Sequence, residues 1–308
     1  MAGEEADQNM MAFLAQIDSI EATDVSEARL NAFTTEDDFN RVVVELLVEV
    51  GKYICVAANL LPIETHRWSR DQAILGGHLV RLYKLINALL DQICQRRREI
   101  AFIIARIAFE CIVNLRYLIK FADDPETFDS YVAHSLRQEK RLHNKIRENI
   151  AARGGDVLPV ESRMLDSIAK AAKASALRIE DLSASRPRNW AEKTLAERAD
   201  AIGLGDAYLG SFGGASAAVH GSWMDLLEFQ LDTNHNEVSF APRFAWANPR
   251  PQIGQTVAYL ATRAVRDYFN FVGEGPIEFL DTKFDNLSNR IREAAQAHDS
   301  FLVATKAF

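Results

Sequence analysis

The sequence predicts an all-α protein: a mainly helical single domain with one small β-hairpin near residues 226–241. Three observations carry that expectation. Apolar residues recur at helical spacing through most of the chain, most densely in Glu99–Phe121. Starts and stops punctuate these runs: Ser69-Arg-Asp-Gln72 and Asp124-Pro125 open helices, and Pro62 and Arg153-Gly154-Gly155 close them. Period-two alternation is read at Leu226–Leu231 and Glu237–Phe240, on either side of Asp-Thr-Asn-His-Asn.

Residues 1–31 begin acidic and continue into a short amphipathic run, Met10–Ile20, read as an arm or short helix ahead of a helical domain over 32–308. Thr34 or Thr35 caps a helix whose first turn holds Glu36, Asp37 and Asp38, where the macrodipole favours carboxylates. It ends at Pro62. The capping box at Ser69–Gln72 opens a third helix with Leu79, Leu82, Leu85, Ile86 and Leu89 on its buried side. Gly76 and Gly77 near its start leave room for another backbone. Gln95–Arg98 marks the break before the central helix. Asp124 and Pro125 then start a polar helix to about Ala152, Pro159 starts another to about Glu180, and Asn189 caps a short one at Trp190. Asp206–Glu228 reads as one helix, with Gly210, Gly214, Ala217 and Gly221 on a stripe suited to a close crossing. Ser216, His220 and Trp223 line the neighbouring stripe. A loop over Pro242–Pro251 precedes helices at Ile253–Val272 and Pro276–Ala297, and no repeat or linker divides the chain.

With 308 residues, 48% of them hydrophobic, and only 15 Gly and 8 Pro, the chain can bury a sizeable core. A net charge of -8 argues against a general polyanion binder and leaves room for a local basic groove. Cys55, Cys94 and Cys111 are widely spaced in apolar runs, which reads as reduced thiols of a cytoplasmic protein rather than a disulfide framework or a zinc site. Met1–Asp7 is too acidic for a secretory signal. Glu45, Glu49 and Lys52 in one apolar run, and Arg106, Glu110 and Arg116 in another, exclude membrane spans there, so no membrane partner is expected.

At about 100° per residue, Glu99, Arg106, Glu110 and Tyr117 fall on one stripe of the central run. Its neighbours are so apolar that the stripe should be at least partly buried. A buried charge needs a partner, and Arg106 and Glu110 stand one turn apart. Two readings follow: a salt bridge that fixes helix register, or a site where Arg106 holds an anion and Glu110 orients or exchanges a proton. His220 is the second candidate. A lone helical histidine is ordinarily a core residue, but this one has a glycine-rich approach, with Ser216 one turn back and Ser222 and Trp223 close by. The chain has no Gly-x-Ser-x-Gly elbow, which argues against a serine hydrolase. Glu139 and His143 have metal-ligand spacing on a helix so charged that a solvated face is the simpler reading. His-Glu-x-x-His, paired Glu-x-x-His, Walker A and Gly-x-Gly-x-x-Gly motifs are all missing, so neither metal nor cofactor is expected.

Arg106-Ile-Ala-Phe-Glu110, Tyr117-Leu118, Trp190, Tyr208 and Ser216-Ala-Ala-Val-His220-Gly221, in that order and spacing, resemble a family of bacterial helical proteins known only as a domain of unknown function, DUF5677. The resemblance covers residues 70–272. It implies a helical fold in which Arg106, Glu110, Tyr208 and His220 meet, and it implies no reaction. A looser resemblance is to the HEPN superfamily of helical ribonucleases and nucleic-acid-associated modules, marked by Arg-x(4–6)-His, which implies a HEPN-like helical bundle core. Arg137 with His143 and Arg292 with His298 meet that spacing, at a frequency that chance alone explains. Gly213, Gly214 and Ala215 stand where His220 would need its arginine, so Arg106 would have to supply it from another helix.

Two functions are therefore carried forward. One is metal-independent RNA cleavage or phosphoryl transfer of HEPN type, with His220 as acid or base, Arg106 on the phosphate, and Glu110 and Tyr208 orienting them. Glu99, Tyr117, Ser216, Ser222 and Trp223 would line the binding surface. The other is a non-catalytic binding or sensor module in which the same residues form a network or hold a small anion. Expected partners are RNA or a small anionic ligand, and either a second copy of the chain docked through a terminal helix or, with no such partner, terminal helices that cap the core of their own chain.

Overall fold

Ser69, Asp124 and Thr194 each begin a helix by accepting an early N–H on a short polar side chain. The computed structural model describes residues 11–60, 67–182, 189–209, 221–234, 239–273, 275 and 277–305. Residues 11–18 form α1 and Glu27–Asn31 form α2. In α3 (Glu36–Ala58), Asp38 reaches back to accept from the Thr35 N–H at 3.0 Å, completing a capping box. α4 (Arg70–Cys94) starts in the same way, with the Ser69 N–H on Gln72. The central helix is α5 (Arg98–Lys120). After it, Asp124 accepts from the Glu126 N–H and Pro125 takes the first position of α6 (Pro125–Ser135). α7 (Arg137–Ala152), α8 (Pro159–Ala174), α9 (Leu195–Ala201), α10 (Pro251–Val272) and α11 (Glu278–Thr305) follow.

Four of these close a ring: α3 packs on α4, α4 on α5, α5 on α10, and α10 back on α3. Leu46, Leu79, Leu82, Phe109, Ile112, Val257 and Val265 meet inside it with no exposed surface. Each such side chain contributes roughly 1.5–3 kcal/mol by leaving water. Gly254 lets α10 approach α3, because a Cβ there would overlap the Val43 side chain. α4 is long and apolar enough to cross a membrane by length and composition. Here it lies between α3 and α5 with Leu75, Leu79, Leu82, Ile86 and Leu89 buried. Gly76 on this helix receives the ring of Trp68 rather than another backbone, and Gly77 faces open space.

Both terminal helices lie on this core. Ile17 of α1 is fully buried and Phe13 packs on Phe269 of α10. α11 buries Leu280, Phe284, Leu287 and Ile291. Its Arg290 pairs with Glu49 of α3, and Glu49 also accepts from the Thr23 N–H at 2.9 Å. Several of the apolar residues of the two terminal runs are thus buried within the chain, while Met11 stays exposed. α7 and α8 pack on each other, and Ile168 and Ala172 of α8 join Ile179 beyond it in a small cluster of their own.

Several expected boundaries move. The polar helix after Pro125 divides at Leu136, which closes α6 and opens α7 with φ -80° and ψ 0°. The helix from Pro159 ends at Ala174, and Ala176 takes a positive φ of 54°. Asp206–Glu228 is not one helix. Gly221 has φ +61° and Ser222 is extended, so the chain turns there, and a Cβ on Gly221 would meet nothing. Gly210, Gly214, Ala217, Ser216 and His220 lie outside the described residues. Ser222 then caps a helical turn, Trp223–Asp225, that runs into a π-helical turn at Leu226–Gln230. This consumes the first half of the alternating run. The hairpin is therefore Leu231–Asn234 against Ser239–Pro242, antiparallel, with Leu231 opposite Pro242.

Candidate functional site

No side chain caps α5. The loop before α10 does so instead: the Arg98 N–H donates to the Ala247 carbonyl at 3.0 Å, and the Ala247 N–H donates to Glu99 Oε1 at 3.3 Å. Glu99 is buried, and its Oε2 has no partner among the described residues. Beside it the Arg98 guanidinium lies over the Phe229 ring at 5.3 Å. Burial, reinforced by Arg250, pushes the Arg98 pKa down. Asp225 approaches from the π-helical side, and burial together with Glu228 and Glu99 raises its pKa.

Two turns further on, the Arg106 side chain is 14% exposed. Its Nη1 stands 3.7 Å from Glu110 Oε2, beyond hydrogen-bond reach, and the Glu110 side chain is 52% exposed. The expected buried pair is therefore a loose contact at the edge of solvent. An exposed carboxylate keeps its hydration, so nothing forces it onto the guanidinium. Arg106 Nε and Nη1 are both buried without a hydrogen-bond partner among the described residues. Tyr208 covers this guanidinium, with Cζ 5.8 Å from the ring centroid, and also leans on Phe109 at 6.2 Å.

Tyr117 belongs to a third place. It is buried against Phe121 at 4.5 Å and edge-on to Trp190 at 5.2 Å, and burial raises its pKa. Glu99 and Tyr117 are separated by about 27 Å of helix at 1.5 Å per residue, so the single stripe serves three neighbourhoods. Ser222 is a helix cap, its Oγ accepting from the Asp225 N–H at 3.3 Å. Trp223 is 56% exposed and meets Phe240 of the hairpin at 5.6 Å. Of the residues named from the sequence, the described structure brings Arg106, Glu110 and Tyr208 together and holds Glu99, Tyr117, Ser222 and Trp223 elsewhere. Ser216 and His220 belong to the stretch that follows Leu209 in the chain and precedes Gly221.

Sequence reasoning misses a second cation. Arg198 of α9 is buried with its Cζ 4.5 Å from the Trp190 centroid, and burial lowers its pKa although Glu110 and Tyr117 oppose this. It also misses His78, whose Nδ1 is 3.5 Å from Cys111 Sγ and whose ring meets Tyr131 at 5.5 Å. Burial, with help from Arg81, lowers His78 to about 4. Burial pushes the Cys111 thiol up to about 12, so it stays protonated and is a poor nucleophile. A histidine between Gly77 and Leu79 on the apolar side of α4 is the one local sign of this cluster. His298 is fully buried, with Nε2 3.0 Å from Glu36 and its ring beside Phe39, a structural position that the chance Arg292–His298 spacing does not explain. Among the described residues no group of three acidic, histidine or cysteine side chains is placed to hold a metal ion.

The fold and this arrangement define an all-α protein with a largely buried arginine at mid-length of its central helix, two of whose donors make no hydrogen bond among the described residues. The chain belongs to the family of unknown function DUF5677, whose pattern matches residues 72–238, more than half of its length. The match takes in α4 to α9 and the first hairpin strand, with Arg106, Glu110, Tyr117, Trp190 and Tyr208, and stops short of α10. Comparison with curated proteins and with solved structures gives no match.

Proposed function

We propose that the protein is a binding or sensor module that recognises an anion at Arg106, the phosphate of an RNA or of a small ligand. One observation carries this reading. A largely buried guanidinium has two donors without a hydrogen-bond partner among the described residues, while the Glu110 carboxylate stands 3.7 Å away and half in water. Guanidinium donors in a low-dielectric setting suit the paired oxygens of phosphate or carboxylate. Tyr208 holds the guanidinium plane from one side by a cation–π contact. Glu110 is free to turn outward as the anion arrives, so the incoming charge meets little repulsion. We place the protein in the cytosol, a reading that the three free cysteines support.

The meeting of Arg106 and Tyr208 favours one further reading, metal-independent RNA cleavage or phosphoryl transfer of HEPN type. It adds His220 as general acid or base to the same phosphate-holding arginine.

Titrating the full chain with a short labelled RNA and with inorganic phosphate tests the binding step. Arg106→Gln should weaken binding by about tenfold or more, and unchanged affinity for both probes removes the reading. RNA degradation in EDTA by the wild type and by His220→Ala then separates catalyst from binder. Loss of cleavage in the variant supports the catalytic form, and no cleavage by either leaves the binding module.

A further inference from the structure

A second arginine with an unused donor among the described residues lies on a different side of α5. Arg116 is 9% exposed, and its Nε donates to Asp267 of α10 at 2.6 Å. That pairing uses one edge of the guanidinium. Nη1, on the other edge, is buried with no hydrogen-bond partner among the described residues. The Arg116 side chain lines a cleft of about 420 Å³ between α5, Ile202 at the end of α9, and α10. Asn270 lines the same cleft with its Oδ1 also buried and unpartnered. Lys120 stands at the rim, and its ammonium spends one donor on the Ala201 carbonyl at 2.6 Å. Ile119, Ile202 and Phe271 supply an apolar wall.

We propose that this cleft binds a small carboxylic acid carrying a hydroxyl or amino donor beside the carboxylate and an apolar tail. The charges set the first part. Arg116 and Lys120 against Asp267 leave one net positive charge, beside which a single carboxylate group is favoured, whereas a phosphate dianion would bring a second negative charge against the Asp267 carboxylate. The two orphaned atoms set the second part. A carboxylate oxygen takes the Nη1 donor, and an adjacent hydroxyl or ammonium donates to Asn270 Oδ1. A buried polar atom left unsatisfied is costly, so a ligand that satisfies both gains twice. Ile119, Ile202 and Phe271 then cover the tail. A volume of about 420 Å³ falls within the ordinary range for small-molecule sites.

Calorimetric titration of the full chain with L-leucine and with 2-hydroxy-4-methylpentanoate tests the proposal, with leucinamide and inorganic phosphate as controls. Saturable binding of at least one of the two acids is expected, with neither control binding comparably. Asn270→Leu removes an unsatisfied polar atom and should keep the fold, as thermal unfolding will report, while weakening the acid by about tenfold or more. Lys120→Gln, at an exposed position, should weaken it by a smaller factor. Absence of saturable heat for both acids at millimolar concentration overturns the proposal. Leucinamide binding as tightly as leucine, or an affinity untouched by both variants, overturns it equally.

Discussion

Glu49 and Arg290, 241 residues apart in the chain, form a two-pronged ion pair at 2.5 and 2.7 Å, with the Thr23 N–H on the same carboxylate. The Arg290 and Glu49 side chains are 12% and 2% exposed, so this link joins α11, α3 and the segment after α1 inside the fold. Removing one partner leaves the other charged and dry. Glu49→Ala should lower stability by about 3–5 kcal/mol, read as a shift in the urea midpoint. Glu49→Leu combined with Arg290→Met should recover most of that loss, because both charges leave together. A single variant with the wild-type midpoint contradicts this account.

Arg106 should behave in the opposite way. It has no hydrogen-bonded partner to strand among the described residues, so Arg106→Met exchanges an unsatisfied cation for an apolar side chain of similar length. The urea midpoint should hold or rise while phosphate or RNA binding falls. Glu110→Ala removes a half-exposed carboxylate at 3.7 Å and should change stability by less than about 1 kcal/mol. A larger loss would mean that the pair is a structural brace.

Acid should weaken the fold through His78. Burial holds its pKa at about 4, below the unfolded value, so the neutral ring is favoured in the folded state. Between about pH 6.5 and 4 the unfolded chain takes up a proton that the folded chain refuses. This contribution is complete above pH 6.5 and is lost as the pH falls towards 4, to a total of about 3 kcal/mol at 1.36 kcal/mol per pKa unit. His78→Leu should flatten the urea midpoint over that window. An identical pH profile in the variant would show that His78 titrates normally.

Gly254→Ala tests the closest approach of α10 to α3. The added methyl would overlap the Val43 side chain and press on Ile93 and Leu47. A loss of about 1–3 kcal/mol is expected, visible as a lower melting temperature. An unchanged melting temperature would mean that α10 can shift on α3 without cost.

Local signals made the helices legible. Thr35, Ser69 and Asp124 begin helices because a short polar side chain beside an apolar run satisfies early N–H groups whatever the tertiary context. The small hairpin was legible in kind, and its register was not, because nothing local announces that Ser222 will cap a turn and draw Leu226–Gln230 into it. The site follows the same division. Periodicity puts Arg106 on a polar stripe, and the motif order adds Tyr208. The stripe gives no sign that Glu99 serves the loop at Ala247 while Tyr117 serves Trp190. Arg116 with Asp267 and Glu49 with Arg290 join residues 151 and 241 positions apart, a distance over which sequence spacing carries no geometric information.

The loop-held start of α5 and the three separate neighbourhoods along it make the helix sensitive to length. Each residue added or removed turns everything beyond it by about 100° and moves it about 1.5 Å along the axis. One residue inserted between Glu99 and Arg106 would leave Glu99 on its loop and swing Arg106 away from Tyr208, carrying Arg116 off Asp267 as well. The helix acts as a keyed shaft whose teeth engage three locks at fixed phase. Within it a changed side chain alters one lock, whereas a single-residue insertion or deletion misaligns every lock on one side of it.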